Sequence, residues 1–199
     1  MIKFLNITPE APYAKFFDLY NEAIQNKQRG IEAIAISSYD LKSNEVESRF
    51  VNLKYIKGDE WIFFSNYLSP KAYQFESHAQ ISALFYWGAI NTQIRVKAKI
   101  KKTPSAFSDT HFQTRSAAKN ALAISSSQSN PIESFDSVKE NFYNTLALMN
   151  PSSQRPDYWG GYSFVPYYFE FWEGHEHRLN KRHTFLIEEG VWNEEFLQP

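Results

Sequence analysis

The chain of 199 residues contains no cysteine. Disulfide bridges, thiolate nucleophiles, cysteine-ligated zinc and iron–sulfur clusters are therefore excluded. Glycine is also scarce, with 7 residues, and neither a G-x-G-x-x-G fingerprint nor a glycine-rich P-loop occurs. Nothing favours a nicotinamide cofactor on a Rossmann fold. Any phosphate group must then be held by side chains rather than by a glycine loop.

A strong charge imbalance and long apolar runs are absent as well. The net charge is -1 at pH 7, so no bulk attraction to nucleic acid or to a membrane surface is expected. No apolar run approaches the roughly 20 residues of a membrane-spanning helix. The N-terminus lacks the pattern of a secretory signal. We expect a cytoplasmic protein with no nucleic-acid or membrane partner.

Aromatic side chains are abundant, with 17 Phe, 12 Tyr and 5 Trp. This composition favours strands and pockets for flat ligands. Apolar runs and apolar–polar alternation predict strands over 31–38, 48–56, 61–66, 81–87, 92–102, 162–165 and 168–172, followed by a hairpin that turns at Glu189 and Gly190.

Capping residues predict the helices between these strands. Thr8 followed by Pro9 predicts a helix start, and Gly30 ends that helix. Ser69 is predicted to cap a short helix, and Ser137 is predicted to open another as part of a capping box. Helices are also predicted over 104–115 and 116–124, with loops over 125–130 and 150–157.

Strands outnumber helices, and several are neighbours in sequence. This order predicts a mainly β (α+β) protein, in which an antiparallel barrel or sheet is flanked by helices. No internal repeat divides the chain. We expect one domain over 1–199, with a helical N-terminal segment over 1–30 and a C-terminal segment over 159–199.

The C-terminal segment combines aromatic, glycine and arginine clusters. These are Trp-Gly-Gly-Tyr at 159–162, Glu-Phe-Trp-Glu-Gly at 170–174 and Arg-Leu-Asn-Lys-Arg at 178–182. A Trp offers a flat face, and an Arg offers a planar fork for phosphate. The combination suits a planar, phosphorylated, anionic ligand, although a Trp-rich barrel rim with solvated arginines has the same pattern.

The order of the motifs resembles the pyridoxamine 5′-phosphate oxidase family of FMN-dependent enzymes. The matching motifs are RFVNLK at 49–54, FFSN at 63–66, SPKA at 69–72, LFYW at 84–87, QIRV at 93–96, SSQS at 126–129 and the C-terminal clusters. Each motif is weak by itself, but their order together is specific. The resemblance covers the chain from about residue 31 to its end.

The resemblance implies a split β-barrel and a homodimer that binds FMN at the subunit interface. It assigns the FMN phosphate to Arg49 and Lys71, with Ser65 and Ser129 as hydroxyl partners. Gln93, Gln128, Trp172 and Arg182 would line the flavin with the backbone of 50–53. The complete implied cofactor set is Arg49, Phe50, Val51, Asn52, Leu53, Lys54, Phe64, Ser65, Ser69, Lys71, Gln93, Gln128, Ser129, Trp172 and Arg182.

The substrate positions match the family less completely. Where the family grips the substrate phosphate with Lys, Tyr, Arg and Ser, this chain has Lys54, His111, Arg115 and Lys119. Where the family has an Arg-x-His pair over the substrate ring, this chain has Arg178 and Asn180. Two cofactor motifs also differ, since Pro70 replaces a frequent Arg and Phe64 a frequent Tyr.

The implied reaction is hydride transfer from pyridoxamine or pyridoxine 5′-phosphate to FMN, with reoxidation by O2 and release of hydrogen peroxide. Arg178 is the implied catalytic residue, since it would orient the substrate. Two alternatives stay open. One is a related FMN-dependent oxidase of another ring substrate, of the phenazine-precursor type. The other is a non-catalytic FMN-binding protein.

Overall fold

The computed structural model describes residues 1–150 and 153–199. The predicted loop over 150–157 therefore lies partly outside the described residues. The strands are β1 (Lys3–Leu5), β2 (Ala33–Asp40), β3 (Glu45–Asn52), β4 (Tyr55–Lys57), β5 (Glu60–Asn66), β6 (Gln80–Trp87), β7 (Thr92–Lys102), β8 (Trp159–Glu173), β9 (Lys181–Glu188) and β10 (Val191–Leu197). The helices are α1 (Ala11–Gln25), α2 (Pro70–Ser77), α3 (Ser105–Gln113), α4 (Ala117–Ser125) and α5 (Phe135–Leu148).

The ten strands form one mixed sheet. Its main path runs β1-β4-β5-β8-β7-β6-β2-β3, and β9 joins β8 with β10 beyond it. Only the pair of β1 and β4 is parallel among the described strands. Because β3 also approaches β5, the path from β5 to β3 curls back on itself as a barrel.

An aromatic core fills this barrel and is covered by α1. Phe16 of α1 lies 4.5 Å from Trp61 and 5.4 Å from Trp87 between ring centroids. All three side chains are at most 1% exposed. Burial of such large rings supplies much of the apolar stabilisation and makes the barrel a rigid support for the surrounding loops.

Two predicted helix starts were wrong. α1 begins after Glu10, with Pro12 in its first turn, because Pro12 rather than Pro9 occupies the first helical positions. α5 begins after Ser134, whose Oγ accepts a hydrogen bond from the Ser137 amide at 3.0 Å. Ser137 therefore lies inside the first turn instead of capping it.

Two strand predictions also differ from the structure. The predicted strand over 48–56 is broken after Asn52, because the chain leaves its pairing with β2 and continues as β4 against β5. The two strands predicted at 162–165 and 168–172 are one strand, β8. Its register against β7 shifts between Lys97 and Ala98, so a bulge accommodates Pro166 without ending the strand.

Candidate active site

Arg49 and Lys71 form the first of two cation clusters, which we call the Arg49–Lys71 cluster. Arg49 extends from β3, and its guanidinium donates to Ser38 Oγ at 2.5 Å and to Gln74 Oε1 at 2.9 Å. Lys71 lies in the first turn of α2, and its Nζ donates to Ser69 Oγ at 3.0 Å. Strand β3 and the start of α2 therefore aim both cations into one region.

The loop after α4 completes this cluster. Lys71 Nζ also donates to Gln128 Oε1 at 2.8 Å, and Ser65 Oγ donates to the same oxygen at 3.2 Å. Three segments distant in sequence thus contribute to one polar group. The structure brings together Arg49, Ser65, Ser69, Lys71 and Gln128 of the predicted cofactor set.

The electrostatics of this cluster suit an anion. Burial, and then the nearby Arg49 charge, lower the pKa of Lys71 to about 8. Among the described residues Lys71 has no carboxylate partner, and Gln74 Nε2 is buried without a hydrogen-bond partner. Arg49 also pairs with the half-exposed Glu47 at 2.9 Å. A phosphate monoester would neutralise Lys71 and accept hydrogen bonds from Arg49 and the serine hydroxyls, so these residues fit the phosphate of FMN.

A second cation cluster lies around His111 and consists of Lys54, His111, Arg115 and Lys119. Lys54 sits at the corner between β3 and β4, and burial lowers its pKa, with Glu32 opposing and Lys119 and Arg115 adding to the effect. Arg115 Nη2 donates to the Lys119 carbonyl at 2.8 Å. The four predicted substrate-phosphate residues are therefore close together.

Arg115 is the most constrained cation of this second cluster. Its guanidinium lies 4.2 Å from the centre of the Trp159 ring, and burial lowers its pKa to about 10. Its Nη1 atom is buried and has no hydrogen-bond partner among the described residues. A buried donor without an acceptor is costly, so this atom marks a position for an anionic ligand.

One cavity connects the two clusters. Its volume is about 400 Å³. Ser65 and Gln128, which belong to the Arg49–Lys71 cluster, line it together with Arg115, Lys119 and Trp159. Phe64 also lines it and stacks on His111 at 3.7 Å between ring centroids. Residues of both clusters therefore face one space with an aromatic wall.

Three predicted flavin-edge residues lie elsewhere on the sheet. Gln93, Trp172 and Arg182 are direct neighbours across β7, β8 and β9. The buried Glu170 holds Arg182, accepting from its Nε at 2.8 Å. Within the described part of the chain, no hydrogen bond or ring contact joins these three to Lys71.

Arg178 and Asn180 lie in the exposed loop between β8 and β9. Arg178 has a left-handed backbone, with φ of 60°, and Asn180 Oδ1 accepts from the His175 amide at 3.1 Å. Neither contacts the cluster around His111 among the described residues. A single copy of the chain therefore does not bring together the full predicted substrate set.

The other predicted cofactor residues have mixed environments. Phe50 is 76% exposed, and Asn52 lines the shared cavity, whereas Leu53 is fully buried and can offer only its backbone. Val51 is half-buried and packs against the core. Ser129 lines a separate cavity beside α5 and makes no hydrogen bond with Lys71.

Sequence reasoning missed several residues that support the clusters. Ser38 and Gln74 hold Arg49, and Tyr55 holds His111 through a 2.8 Å contact between its hydroxyl and Nδ1. Ser38 was detectable, because it follows Ile34 and Ile36 on the buried face of β2. A polar residue at such a position requires a partner.

Comparison with known proteins agrees with these features. Residues 159–199 match the family model of the pyridoxine 5′-phosphate oxidase C-terminal dimerisation region, which supports a dimer. The chain is 33% identical to the pyridoxine/pyridoxamine 5′-phosphate oxidase of Haemophilus influenzae, over 96% of this chain and 90% of the relative. It is 31% identical to pyridoxine/pyridoxamine 5′-phosphate oxidase 1 of Hydrogenovibrio crunogenus, over 87% and 80%.

Solved structures confirm the predicted fold. PhzG of Burkholderia lata, in complex with tetrahydrophenazine-1-carboxylic acid, superimposes with a TM-score of 0.90 at 23% identity, over 96% of this chain and 94% of that chain. A pyridoxamine 5′-phosphate oxidase-related, FMN binding protein of Nostoc punctiforme gives 0.78 at 12% identity, over 96% and 100%. The mainly β split barrel with flanking helices is thus shared with both.

No helix among the described residues is long and apolar enough to cross a membrane. The family resemblance indicated by the ordered motifs is confirmed by the identity to relatives across nearly their whole length. The chain belongs to the pyridoxine/pyridoxamine 5′-phosphate oxidase family.

Proposed function

We propose that the chain is an FMN-dependent oxidase that converts pyridoxamine or pyridoxine 5′-phosphate to pyridoxal 5′-phosphate. The observation that carries this proposal is a cavity of about 400 Å³ that is lined by Arg115 and Lys119 of the second cluster and by Ser65 and Gln128 of the first, with Lys71 donating to Gln128 Oε1 at 2.8 Å. One cluster fits the phosphate of a cofactor, and the other fits the phosphate of a substrate. A reaction between two phosphorylated, planar molecules needs this arrangement.

In this reaction the residues of the chain would bind FMN and the substrate and orient them relative to each other. Arg49 and Lys71 would hold the FMN phosphate, with Ser65 and Ser69 as hydroxyl partners. When bound, FMN supplies hydride acceptance from the substrate and reoxidation by O2 to hydrogen peroxide. Arg115, with Lys54, His111 and Lys119, would hold the substrate phosphate and so fix the distance of the reacting carbon from the flavin.

A homodimer would complete the site. Gln93, Trp172 and Arg182 lie away from Lys71 in one copy, as do Arg178 and Asn180. We propose that a second copy supplies these residues to the cavity, with FMN at the interface. The exposure of the Phe50 side chain supports a covering partner surface.

A related oxidase of another ring substrate is the second candidate. His111, Lys119 and Asn180 differ from the residues that the family places at these positions, and PhzG binds a ring that carries a carboxylate. The second cluster could also bind a carboxylate. A non-catalytic FMN protein is disfavoured, because such a protein has no use for a second desolvated anion site.

An anaerobic visible spectrum distinguishes these functions. Pyridoxine 5′-phosphate added to FMN-loaded protein should bleach the flavin band, which should recover in air. Bleaching by a dihydrophenazine carboxylic acid alone would favour the second candidate. A band that stays oxidised with both compounds would contradict an oxidase function.

Arg178→Ala should reduce turnover strongly while FMN stays bound. Loss of one group that orients and stabilises the reacting substrate costs roughly 100- to 1,000-fold in kcat. Peroxide formation and FMN titration measure the two effects separately. His177→Ala is the matched control, because this exposed neighbour in the same loop lies outside the proposed machinery. Retained turnover in Arg178→Ala would remove the role assigned to Arg178.

FMN affinity should fall as the pH rises above about 8. The apo protein has a Lys71 pKa of about 8, and a bound phosphate dianion would raise that pKa. Between the Lys71 pKa of the apo protein and that of the complex, FMN binding is therefore accompanied by proton uptake. In this pH range the dissociation constant for FMN should increase by up to roughly tenfold per pH unit. Fluorescence titration from pH 7 to 10 checks this, and Lys71→Met should flatten the profile. An unchanged slope in Lys71→Met would exclude Lys71 as its cause.

A further inference from the structure

The His111 ring is fixed from two directions. Tyr55, which is 9% exposed, places its hydroxyl 2.8 Å from His111 Nδ1. Phe64 stacks on the imidazole face at 3.7 Å with an interplanar angle of 13°. The stacking sets the plane of the ring, and the hydroxyl sets its rotation within that plane. Nε2 is left without a partner among the described residues.

His111 is neutral at physiological pH. Burial lowers its pKa to about 4, and the charges of Arg115, Lys3, Lys54 and Lys119 add to this effect. Tyr55 is the other titratable group in contact with the ring. A neutral imidazole carries one proton, so one ring nitrogen donates and the other accepts.

The contact with Tyr55 decides which nitrogen carries the proton. If Nδ1 carried it, the phenol oxygen would accept, and the phenol proton would have no acceptor among the described residues. If Nδ1 is bare, the phenol donates to it and both groups are satisfied. The second arrangement puts the imidazole proton on Nε2.

We propose that Tyr55 is a positioning residue that keeps His111 in the Nε2–H tautomer, so that His111 offers an uncharged N–H donor to the substrate phosphate. This inference rests on the proposed function. The family resemblance places a tyrosine hydroxyl, also an uncharged donor, at this position. The departure in sequence therefore preserves the kind of hydrogen bond.

Nitrogen NMR of the FMN-loaded protein tests the tautomer directly. Long-range proton–nitrogen spectra should show His111 with a protonated Nε2, and His111→Phe identifies its signals. Tyr55→Phe should give a mixture of both tautomers, because only the hydroxyl distinguishes them. Titration with inorganic phosphate should shift the Nε2 signal in the wild type. A wild-type Nδ1–H tautomer would overturn the inference.

Kinetics test the consequence for the substrate. Tyr55→Phe should raise KM for pyridoxine 5′-phosphate roughly 3- to 10-fold, the effect of weakening one hydrogen bond, with kcat within about twofold. His111→Phe keeps the stacking but removes the donor, and should raise KM at least as much. The double variant should resemble His111→Phe, since the two residues act in series.

Tyr20→Phe is the matched control. Tyr20 is a buried tyrosine whose hydroxyl accepts from the Ile2 amide at 3.0 Å, away from the cavity. This variant should leave both KM and the His111 tautomer unchanged. Additive KM effects of Tyr55→Phe and His111→Phe would contradict action through His111.

Failure of the proposed function gives a different result. Without turnover of pyridoxine 5′-phosphate by the wild type, the proposed function fails, but an Nε2–H signal shifted by inorganic phosphate would still support the inference. Normal turnover with an Nε2 signal unaffected by phosphate would keep the function and overturn the inference. If Tyr55→Phe does not fold, the wild-type tautomer and the phosphate titration decide.

Discussion

Replacing Arg49 with methionine should weaken FMN binding by roughly 30- to several thousand-fold. Removing one partner of a buried, hydrogen-bonded charge pair costs about 2–5 kcal/mol, and the proposed pair here is the Arg49 guanidinium and the FMN phosphate. The stability of the apo protein should change little, because the Arg49–Glu47 ion pair that is lost is half-exposed on its Glu47 side. Ser38 Oγ donates to Gln74 Oε1 at 2.6 Å, so these two buried groups keep each other as partners.

The charge of Arg49 also disfavours protonated Lys71 in the absence of ligand. Arg49→Met removes that repulsion, which is a second reason to expect no loss of apo stability. Flavin fluorescence titration measures the affinity, and thermal unfolding of the apo protein measures stability. Lys99→Met, which removes an exposed cation from β7, is the control for net charge. Affinity within threefold of the wild type would exclude Arg49 as a phosphate ligand.

The fold was largely predictable because the motifs lie on regular strands. The alternation along β7 correctly separated Val96, Ala98 and Ile100, which are buried, from the exposed cations between them. The predicted hairpin at Glu189 and Gly190 is the turn between β9 and β10. In these segments, local pattern and tertiary burial favour the same structure.

The start of a helix was less predictable where two nearby residues are almost equally good N-caps. Ser134 and Ser137 are both good N-caps, and Ser137 has the additional Glu at the third position. The chain uses Ser134, which brings Asp136 into the first turn of α5, where an acidic side chain is favourable. α5 also packs on α4, a contact that local sequence does not encode.

The clusters were predictable only through the family resemblance. Arg49, Lys71 and Gln128 are separated by tens of residues, and no spacing rule joins a strand, a helix start and a loop. Their convergence depends on tertiary structure, because β3 pairs with β2, α2 packs on β2, and β3 approaches β5 where the sheet curls. The roles of these residues remain predictions, as does the contribution of Trp172 and Arg182 from a second copy.

Methionine at Arg115 should lower kcat/KM for pyridoxine 5′-phosphate by roughly 30- to several thousand-fold, while FMN binding is retained. Arg115 is the cation of the second cluster best placed to bind the phosphate that we propose there, because its buried Nη1 has no partner among the described residues. Loss of a charge-assisted contact in such a desolvated position costs about 2–5 kcal/mol. For pyridoxine, which lacks the phosphate, kcat/KM of Arg115→Met should be no lower than that of the wild type.

Arg155→Met is the control for loss of a buried arginine that has a structural role. Arg155 Nε donates to Asp109 Oδ1 at 2.6 Å, and its Nη2 donates to Ser105 Oγ at 2.7 Å. Losing these bonds should lower the free energy of unfolding by about 2 kcal/mol without changing the preference for the phosphorylated substrate. Arg115→Met should instead reduce the preference for the phosphorylated substrate without lowering the free energy of unfolding. Burial lowers the pKa of Arg115, so its charge is a cost to the empty fold. Equal losses with phosphorylated and unphosphorylated substrates in Arg115→Met would show that Arg115 supports the structure of the cavity instead of binding the phosphate.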